Sequence, residues 1–577
     1  MPFQPFLIAD FQTGKAIAKA PWLVPQDAFP VLVNGRIVKG VLEKRKGYTL
    51  LASTGASLPI VGIFEARYKG LPRVLVCDTK RVYSFSVTAN TLTDLSLADT
   101  FTGTDADFFR FQSYYDKTYM TNGVDNIYSW DDSTDTLAVV STAGAVTITA
   151  CDGLFMLKSR LHFVAPTIAG VYYPDRIYYT DVGLVTITGA SQYYRYERDD
   201  VPVTCAALDM NDELILGRKS AWRVEYTGDS STPFRCVMID GEMACLTPFV
   251  AVEYRNPSSG KMIATLSRNH WVGFDGFQFR NIDWPIRDIA AEMTATHLRY
   301  CQGARLTEHE ALYLSYPQTG SEWPERILEY GIDDNAWSTH HLSMHCLAAS
   351  SGEIDPAHWG MAANYVGRIS RGATYAGDRT GNLYELDDGD SDNGSAIAFE
   401  VRSAALNPFQ KDRRKAYLGW IDLYMDSDPN VSFTMYLYKD DGTMDYKSIA
   451  VSGMGSGERF WQRVNVGGEV GNFHRIRISN DATGNRPRIH AICPWFKPGG
   501  RIAVTDAIDD WPDQTWRLVA RGGSVYMQRK ESNVWLDYQQ WGDVSEISQE
   551  WRMRASGGTV YVEREESGTW TDYQQWP

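Results

Sequence analysis

A chain of 577 residues, 44% hydrophobic and 13% aromatic, exceeds one ordinary domain and carries enough apolar material for several cores. Its formal net charge is −15, from 71 acidic and 56 basic groups, and no Lys/Arg block offers a phosphate footprint, which argues against a tight, static DNA binder. An acidic surface is still compatible with nucleic acid moving through a pore, because a wall that repels phosphate lets DNA slide. The 32 Tyr and 18 Trp suit half-buried pleated surfaces, so an all-β protein is expected.

The opening MPFQPFLIADFQTG has no basic segment followed by an apolar one, and nowhere do 18 apolar residues run together. Synthesis in the cytoplasm without membrane insertion is expected. Eight cysteines, at positions 77, 151, 205, 236, 245, 301, 346 and 493, follow no CxxC or regular framework and read as buried thiols, so no disulfide is expected.

Residues 1–60 form an extended arm broken by Pro21, Pro25 and Pro30, then a hairpin in VLVNGRIVKGVLEKRKGY. Asn34-Gly35 is its strongest two-residue turn signal. The hairpin is expected to close onto the domain that follows.

Residues 61–395 repeat one unit seven times: a half-apolar strand, a polar turn, and a second strand ending in aromatics and an acidic turn. The instances are VLVCDTKRVYSFS, TYMTNGVDNIYSWDD, LHFVAPTIAGVYYPDRIYYTD, LILGRKSAWRVEY, ATLSRNHWVGFDG, LYLSYPQTGSEWPERILEYGIDDNAW and ATYAGDRTGNLYELDDG. Their anchors Tyr83, Tyr128, Tyr178, Trp222, Trp271, Leu328 and Tyr384 lie 45, 50, 44, 49, 57 and 56 residues apart. Such periods indicate a β-propeller, and the uneven spacing leaves six or seven blades open.

The polar cluster DDGDSDNGS at 387–395 ends this region. Residues 396–503 then alternate in and out over six strands, as expected of an antiparallel β-sandwich. Residues 504–577 hold a duplication: WRLVARGGSVYMQRKESNVWLDYQQW from Trp516 returns as WRMRASGGTVYVEREESGTWTDYQQW from Trp551, a shift of 35. Each copy reads as a three-stranded meander with turns at Gly522-Gly523 and Ser532-Asn533, then at Gly557-Gly558 and Ser567-Gly568.

Sites for chemistry are sparse. Asp388, Asp390 and Asp392 alternate as Ca²⁺ ligands do, but the glycine falls one place late and Phe399 stands where a bidentate Glu is wanted, so a solvated turn is the favoured reading. His340, His341, His345 and Cys346 lack a second ligand pair for zinc. Paired carboxylates at Asp131-Asp132, Asp199-Asp200 and Asp333-Asp334 sit beside turn residues, where they cap backbone N–H groups. No GxSxG, HExxH, Walker loop or dinucleotide fingerprint occurs, and no enzyme, metal or cofactor is expected.

The tail aromatics Trp516, Tyr526, Trp535, Tyr538 and Trp541, with their counterparts Trp551, Tyr561, Trp570, Tyr573 and Trp576, are the candidate contact residues. They suit a small core, subunit docking or glycan stacking, and the first two are favoured.

Four segments carry a family likeness: NGRIVKGVLEKRKGY (34–48), YMTNGVDNIYSW (119–130), MNDELILGRKSAWRVEYTGD (210–229) and GNFHRIRISNDATGNRPRIHAICPWFKPGGR (471–501). In these the chain resembles the tail nozzle proteins of short-tailed phages, which include tail tubular protein B and the packaged-DNA stabilisation proteins. The likeness covers about residues 1–503, and the duplicated tail departs from it.

The resemblance implies a structural virion protein, a homohexameric ring in the phage tail below the portal and adaptor (head-to-tail connector) proteins. Double-stranded DNA would pass through its lumen without sequence specificity and be retained until host-triggered ejection. Tail fibre or needle proteins are the further partners, with the duplicated tail as a host-attachment element. Two other classes stay open: a glycan-degrading propeller enzyme, which needs two carboxylates flanking a cleft, and a host-surface receptor-binding tail protein.

Overall fold

The computed structural model describes the chain apart from residues 1, 20–22, 67–72, 88, 97–100, 132, 141, 196–201, 207–212, 218–219, 241–244, 259, 268–269, 292, 294–296, 307–309, 350–372, 427–430, 441–444, 454–458, 502–515, 522–523, 532–533, 544–550, 557–558, 567–568 and 577. Two compact units are present, Met1–Lys411 with Lys415–Gly499, and Asp412–Arg414 with Gly500–Pro577. No described helix is long and apolar enough to cross a membrane.

The first unit is all-β and propeller-like. Four-stranded antiparallel sheets span Ile60–Asp94, Arg110–Val139, Pro202–Asp240 and Val252–Asn281, and a five-stranded one spans Ile148–Arg195. Gly303–His341 form the first four strands of an eleven-stranded sheet, and Cys346–Leu386 supply three strands of a further four-stranded sheet. Each repeat found in the sequence falls on the hairpin between successive strands of one of these sheets.

Neighbouring sheets meet through their leading strands. Arg110–Tyr114 lies beside Ile148–Leu157, which lies beside Pro202–Ala206, and Val252–Asn256 lies beside Gly303–Leu306. The ring closes where Ile60–Ala66 meets Cys346–Ala349 and Thr374–Gly377. Apolar cores fill the wedges between sheets: Phe155, Val164, Ile177, Trp222 and Val224 in one, Ala304, Tyr313, Ile327, Leu347 and Ala376 in another. Burial of these alternating residues is what holds adjacent sheets together.

The arm at 1–60 is woven into both parts of this unit. Tyr48–Ser53 pairs with Asn382–Leu386 and completes the last sheet of the ring. Val31–Val33 is wedged between Ala336–His341 and Phe399–Arg402, so one sheet runs without a break from the propeller-like ring into residues 399–480. A second sheet, built on Arg414–Met425, Phe460–Gly471 and Arg488–Arg501, takes the hairpin Gly35–Val38 and Val41–Lys44 along with Gln4–Pro5 and Ile8–Ala9. Between the two sheets lies the largest core, including Leu418, Ile421, Leu423, Met435, Leu437, Ile476 and Ile478. Strict alternation of buried and part-exposed residues along His474–Asn480 accounts for its facing.

The hairpin turns at Lys39-Gly40, not at Asn34-Gly35. Val38 pairs with Val41, and Lys39 (φ 52°) and Gly40 (φ 73°) take the left-handed pair of a two-residue turn. Asn34 is also left-handed, at φ 53°, but there the chain steps from one sheet to another. Gly35 is required by packing, since a Cβ would stand 2.7 Å from Phe399 Cε2 and 2.8 Å from Leu32 Cδ1.

The second unit contains a six-stranded antiparallel sheet in which the two copies of the duplication pair through their first strands. Arg517 stands opposite Arg552, Trp516 opposite Met553 and Leu518 opposite Trp551, so the copies are related by a local twofold axis. The four turns expected here lie outside the described residues.

Seven described cysteines are free thiols, six of them buried, and burial pushes the Cys151, Cys236 and Cys346 thiols up to about 12. Buried histidines make the first unit acid-sensitive. His162 stacks on Phe155 at 4.6 Å, meets the edge of Phe234 at 4.7 Å and contacts Tyr194 Oη at 2.9 Å. Burial lowers it to about 3 and lowers His345 to about 4.

Both rings are neutral when folded and protonate near pH 6.5 when unfolded, so stability is lost as pH falls from about 6.5 towards 4. Unfolding free energies from urea titrations are expected to be flat from pH 8 to 7 and then to fall, by an amount on the order of a few kcal/mol. His162→Gln should flatten that slope, and an unchanged slope would remove His162 from the account.

Candidate functional site

The most constrained chemistry lies on the outer face of the hairpin, where it meets the ring. Alternation splits the hairpin's residues: Ile37 and Leu42 enter the large core, while Arg36, Glu43 and Arg45 face the other way. Arg36 has no exposed surface. Its Nε donates to Glu43 Oε1 at 2.8 Å and its Nη1 to Asp387 Oδ1 at 2.7 Å.

Arg45 grips Asp392 with two bonds of 2.8 and 2.6 Å and donates from Nε to Asn34 Oδ1 at 3.0 Å. Lys44, on the opposite face, donates to Asn480 Oδ1 at 2.7 Å and to the Ala482 carbonyl at 2.9 Å. Burial, then Arg45, lowers its ammonium to about 8.

Residues from the far end of the chain complete the network. Glu43 also receives Arg486 Nη2 at 2.7 Å and lies 3.0 Å from Arg488 Nε, and Arg488 pairs with Asp426 at 3.1 Å. Burial alone would raise the Glu43 carboxyl, but Arg36, Arg486 and Arg488 outweigh it and hold it below its ordinary value. Nearby, buried His340 Nε2 meets Glu329 Oε2 at 2.5 Å. Segments 34–48 and 471–501 are thus partners, with Arg488 opposite Glu43 and Ile489 opposite Leu42. The arrangement is a densely paired ionic joint between ring and flanking sheets.

A second cluster gathers on segments entering the inner strands. Arg379 lies 3.4 Å over the Trp323 ring, Arg299 4.7 Å over Tyr300 and Arg110 5.0 Å over Phe249, while His345 and Phe108 stand 5.0 Å apart. Apart from the neighbours Arg299 and Tyr300, these contacts tie loops from distant parts of the chain to one another.

Asp392 is taken by Arg45 and the 387–395 segment is pinned to Gly47 and Tyr48 by backbone bonds, so Asp388, Asp390 and Asp392 do not converge on one point. His340 and His341 project to opposite faces of their strand, and His345 bonds the Asp105 carbonyl. No group of His, Cys, Asp or Glu among the described residues could hold a metal ion.

Asp131 accepts from Ser133, and Asp334 accepts from Lys39 N and Gly40 N at 2.8 and 3.0 Å, bracing the hairpin turn. Asp132, Asp199 and Asp200 lie outside the described residues. The ten tail aromatics all fall on strands of the six-stranded sheet, with Tyr538 and Tyr573 at equivalent bulges. The joint residues Arg36, Glu43, Arg45 and Arg486 were not singled out from sequence. Their available signal was a run of charges, EKRK, inside a segment that otherwise alternates like a buried strand.

No family model matches the chain, and no curated protein matches it. Among solved structures it is similar to the extracellular domain of the putative hybrid two-component system BT3049 from B. thetaiotaomicron, at 9% identity and a TM-score of 0.33, covering 90% of this chain and 65% of that one. The chain therefore spans under two thirds of that structure's length, and a likeness this distant carries no argument about function.

Proposed function

We propose that this chain is a structural subunit of a phage tail nozzle: a propeller of six or seven blades fused to a β-sandwich, six copies forming a ring through which packaged DNA is held and then released. The observation that carries it is the joint. Two of the four segments that carry the nozzle-like resemblance, 34–48 and 471–501, the latter the most specific, pair with each other in a joint between the ring and its flanking sheets. A subunit that must resist the pressure of packaged DNA needs its parts held rigidly, and a continuous sheet with a buried ionic joint does this. A net charge of −15 suits a lumen that DNA leaves quickly.

Quantitative mass spectrometry of purified virions tests the reading. Six copies per portal ring, located at the tail by antibody labelling, are expected. A peripheral location with fibre-like copy number would overturn it in favour of a receptor-binding or glycan-degrading tail protein.

The duplicated tail is the attachment element in this reading, because its two copies offer a repeated aromatic-rich sequence. Deleting residues 504–577 is expected to spare ring assembly while reducing fibre content or host adsorption. Particles indistinguishable from wild type in both would sink that assignment.

A further inference from the structure

A cavity of about 260 Å³ opens in the first unit where Gly14–Lys15 and Val31–Val33 meet the strand Ala336–His341. Three basic side chains line it. Arg326 and His341 stand directly opposite each other on paired strands, so both point to one face, and Thr339 shares that face two residues along. Lys15 reaches across from the arm, its Nζ donating to Thr339 Oγ1 at 2.7 Å. Apolar walls from Ile17 and Met293 complete the space. No carboxylate is found among the described residues that line it.

Lys15 and Arg326, with no carboxylate among the described lining residues, repel one another in a partly desolvated space, while His341 stays neutral beside them. The strain registers on the groups themselves. Burial, then Arg326, lowers Lys15 to about 8; burial, then Arg326 and Lys15, lowers His341 to about 4. The joint 34–48 shows how the same chain treats basic groups it uses structurally, since Arg36 and Arg45 each hold a carboxylate there.

We infer that the Lys15–Arg326–His341 cavity binds a small organic anion, a carboxylate or phosphate head seated between Lys15 and Arg326 with an apolar body against Ile17 and Met293. Arg326 supplies a planar fork suited to either head group, Lys15 a point charge, and Thr339 a hydroxyl that orients the Lys15 ammonium. The volume limits the ligand to roughly the size of a single substituted ring, below the usual range for larger ligands. This site stands independently of the nozzle reading.

Calorimetry and ligand-observed NMR on the full-length chain test it with three probes, phenyl phosphate, benzoate and neutral benzyl alcohol, at about 50 mM salt to limit screening. At least one anion is expected to bind with a Kd at or below about 1 mM, and benzyl alcohol at least about tenfold more weakly. The stronger of the two anions identifies the head group.

Arg326→Gln, at a part-exposed position, should weaken the anion about tenfold without lowering the thermal midpoint, since it removes a charge that repels Lys15. Carbon-13 methylation of lysines gives a readout that needs no variant: the Lys15 resonance should titrate to higher pH when the anion is bound. Equal binding of benzyl alcohol, absence of anion binding up to about 10 mM, or an unmoved Lys15 titration would each overturn the inference.

Discussion

Glu43→Ala is expected to destabilise the Met1–Gly499 unit by about 3–5 kcal/mol, the usual cost of leaving buried charges without their partner. Glu43 answers three guanidiniums at once, from Arg36, Arg486 and Arg488, and its side chain is almost wholly buried. Removing the carboxylate takes one charge-assisted bond from fully buried Arg36, whose pairing with Asp387 stays in place, and leaves the Arg486 and Arg488 guanidiniums facing an uncharged side chain. Urea unfolding of the full-length chain measures the loss, and a value below about 1 kcal/mol would show that the joint is ornamental.

The pH dependence carries a sign. Because the folded carboxyl is held below its ordinary value, its contribution is complete above about pH 4.5 and is lost as pH falls through the depressed folded value. Wild-type and Glu43→Ala stabilities should therefore converge in acid. In the ring reading, virions carrying the variant should also lose packaged DNA on mild heating.

A chain beginning at residue 54 is expected not to reach the native state at all. Without Tyr48–Ser53 the last sheet of the ring loses its outer strand, and without Val31–Val33 the eleven-stranded sheet is cut between residues 341 and 399. The large core loses Ile8, Phe11, Phe29, Leu32, Ile37 and Leu42, each buried. At roughly 1.5–3 kcal/mol for each large side chain buried, the loss is comparable to the whole stability of a typical domain. Soluble yield and near-UV circular dichroism check this, and a cooperative unfolding transition in the truncated chain would contradict it. Newly bared strand edges should drive aggregation of whatever is made.

The propeller-like character was legible because each sheet is built from local hairpins, whose alternation and turns lie within about 50 residues of one another. Tyr83, Tyr128, Tyr178 and Trp271, picked out as anchors, are all buried. The turn at Asn34-Gly35 was misread for a physical reason. An Asn-Gly pair signals left-handed backbone, which Asn34 has, but that conformation serves equally to reverse a strand or to carry it between sheets.

What decided the matter was distant: Asn34 Oδ1 accepts from Arg45 Nε and His341 N, and its Nδ2 donates to the Ala398 carbonyl. The Lys39-Gly40 turn is braced by Asp334, almost 300 positions away, and no local pattern could announce that.

By itself the sequence determined the all-β class, the repeating hairpins of 61–395, the alternating strands beyond 396 and the tail duplication, since strand periodicity and turn chemistry act over a few residues. Tertiary structure alone decided that the first 53 residues stitch ring and flanking sheets together, that a run of charges is buried as a joint, and that Lys15, Arg326 and His341 share one cavity. Those outcomes depend on pairings between residues more than 300 apart, where the free energy comes from burial and charge matching that neither partner displays on its own.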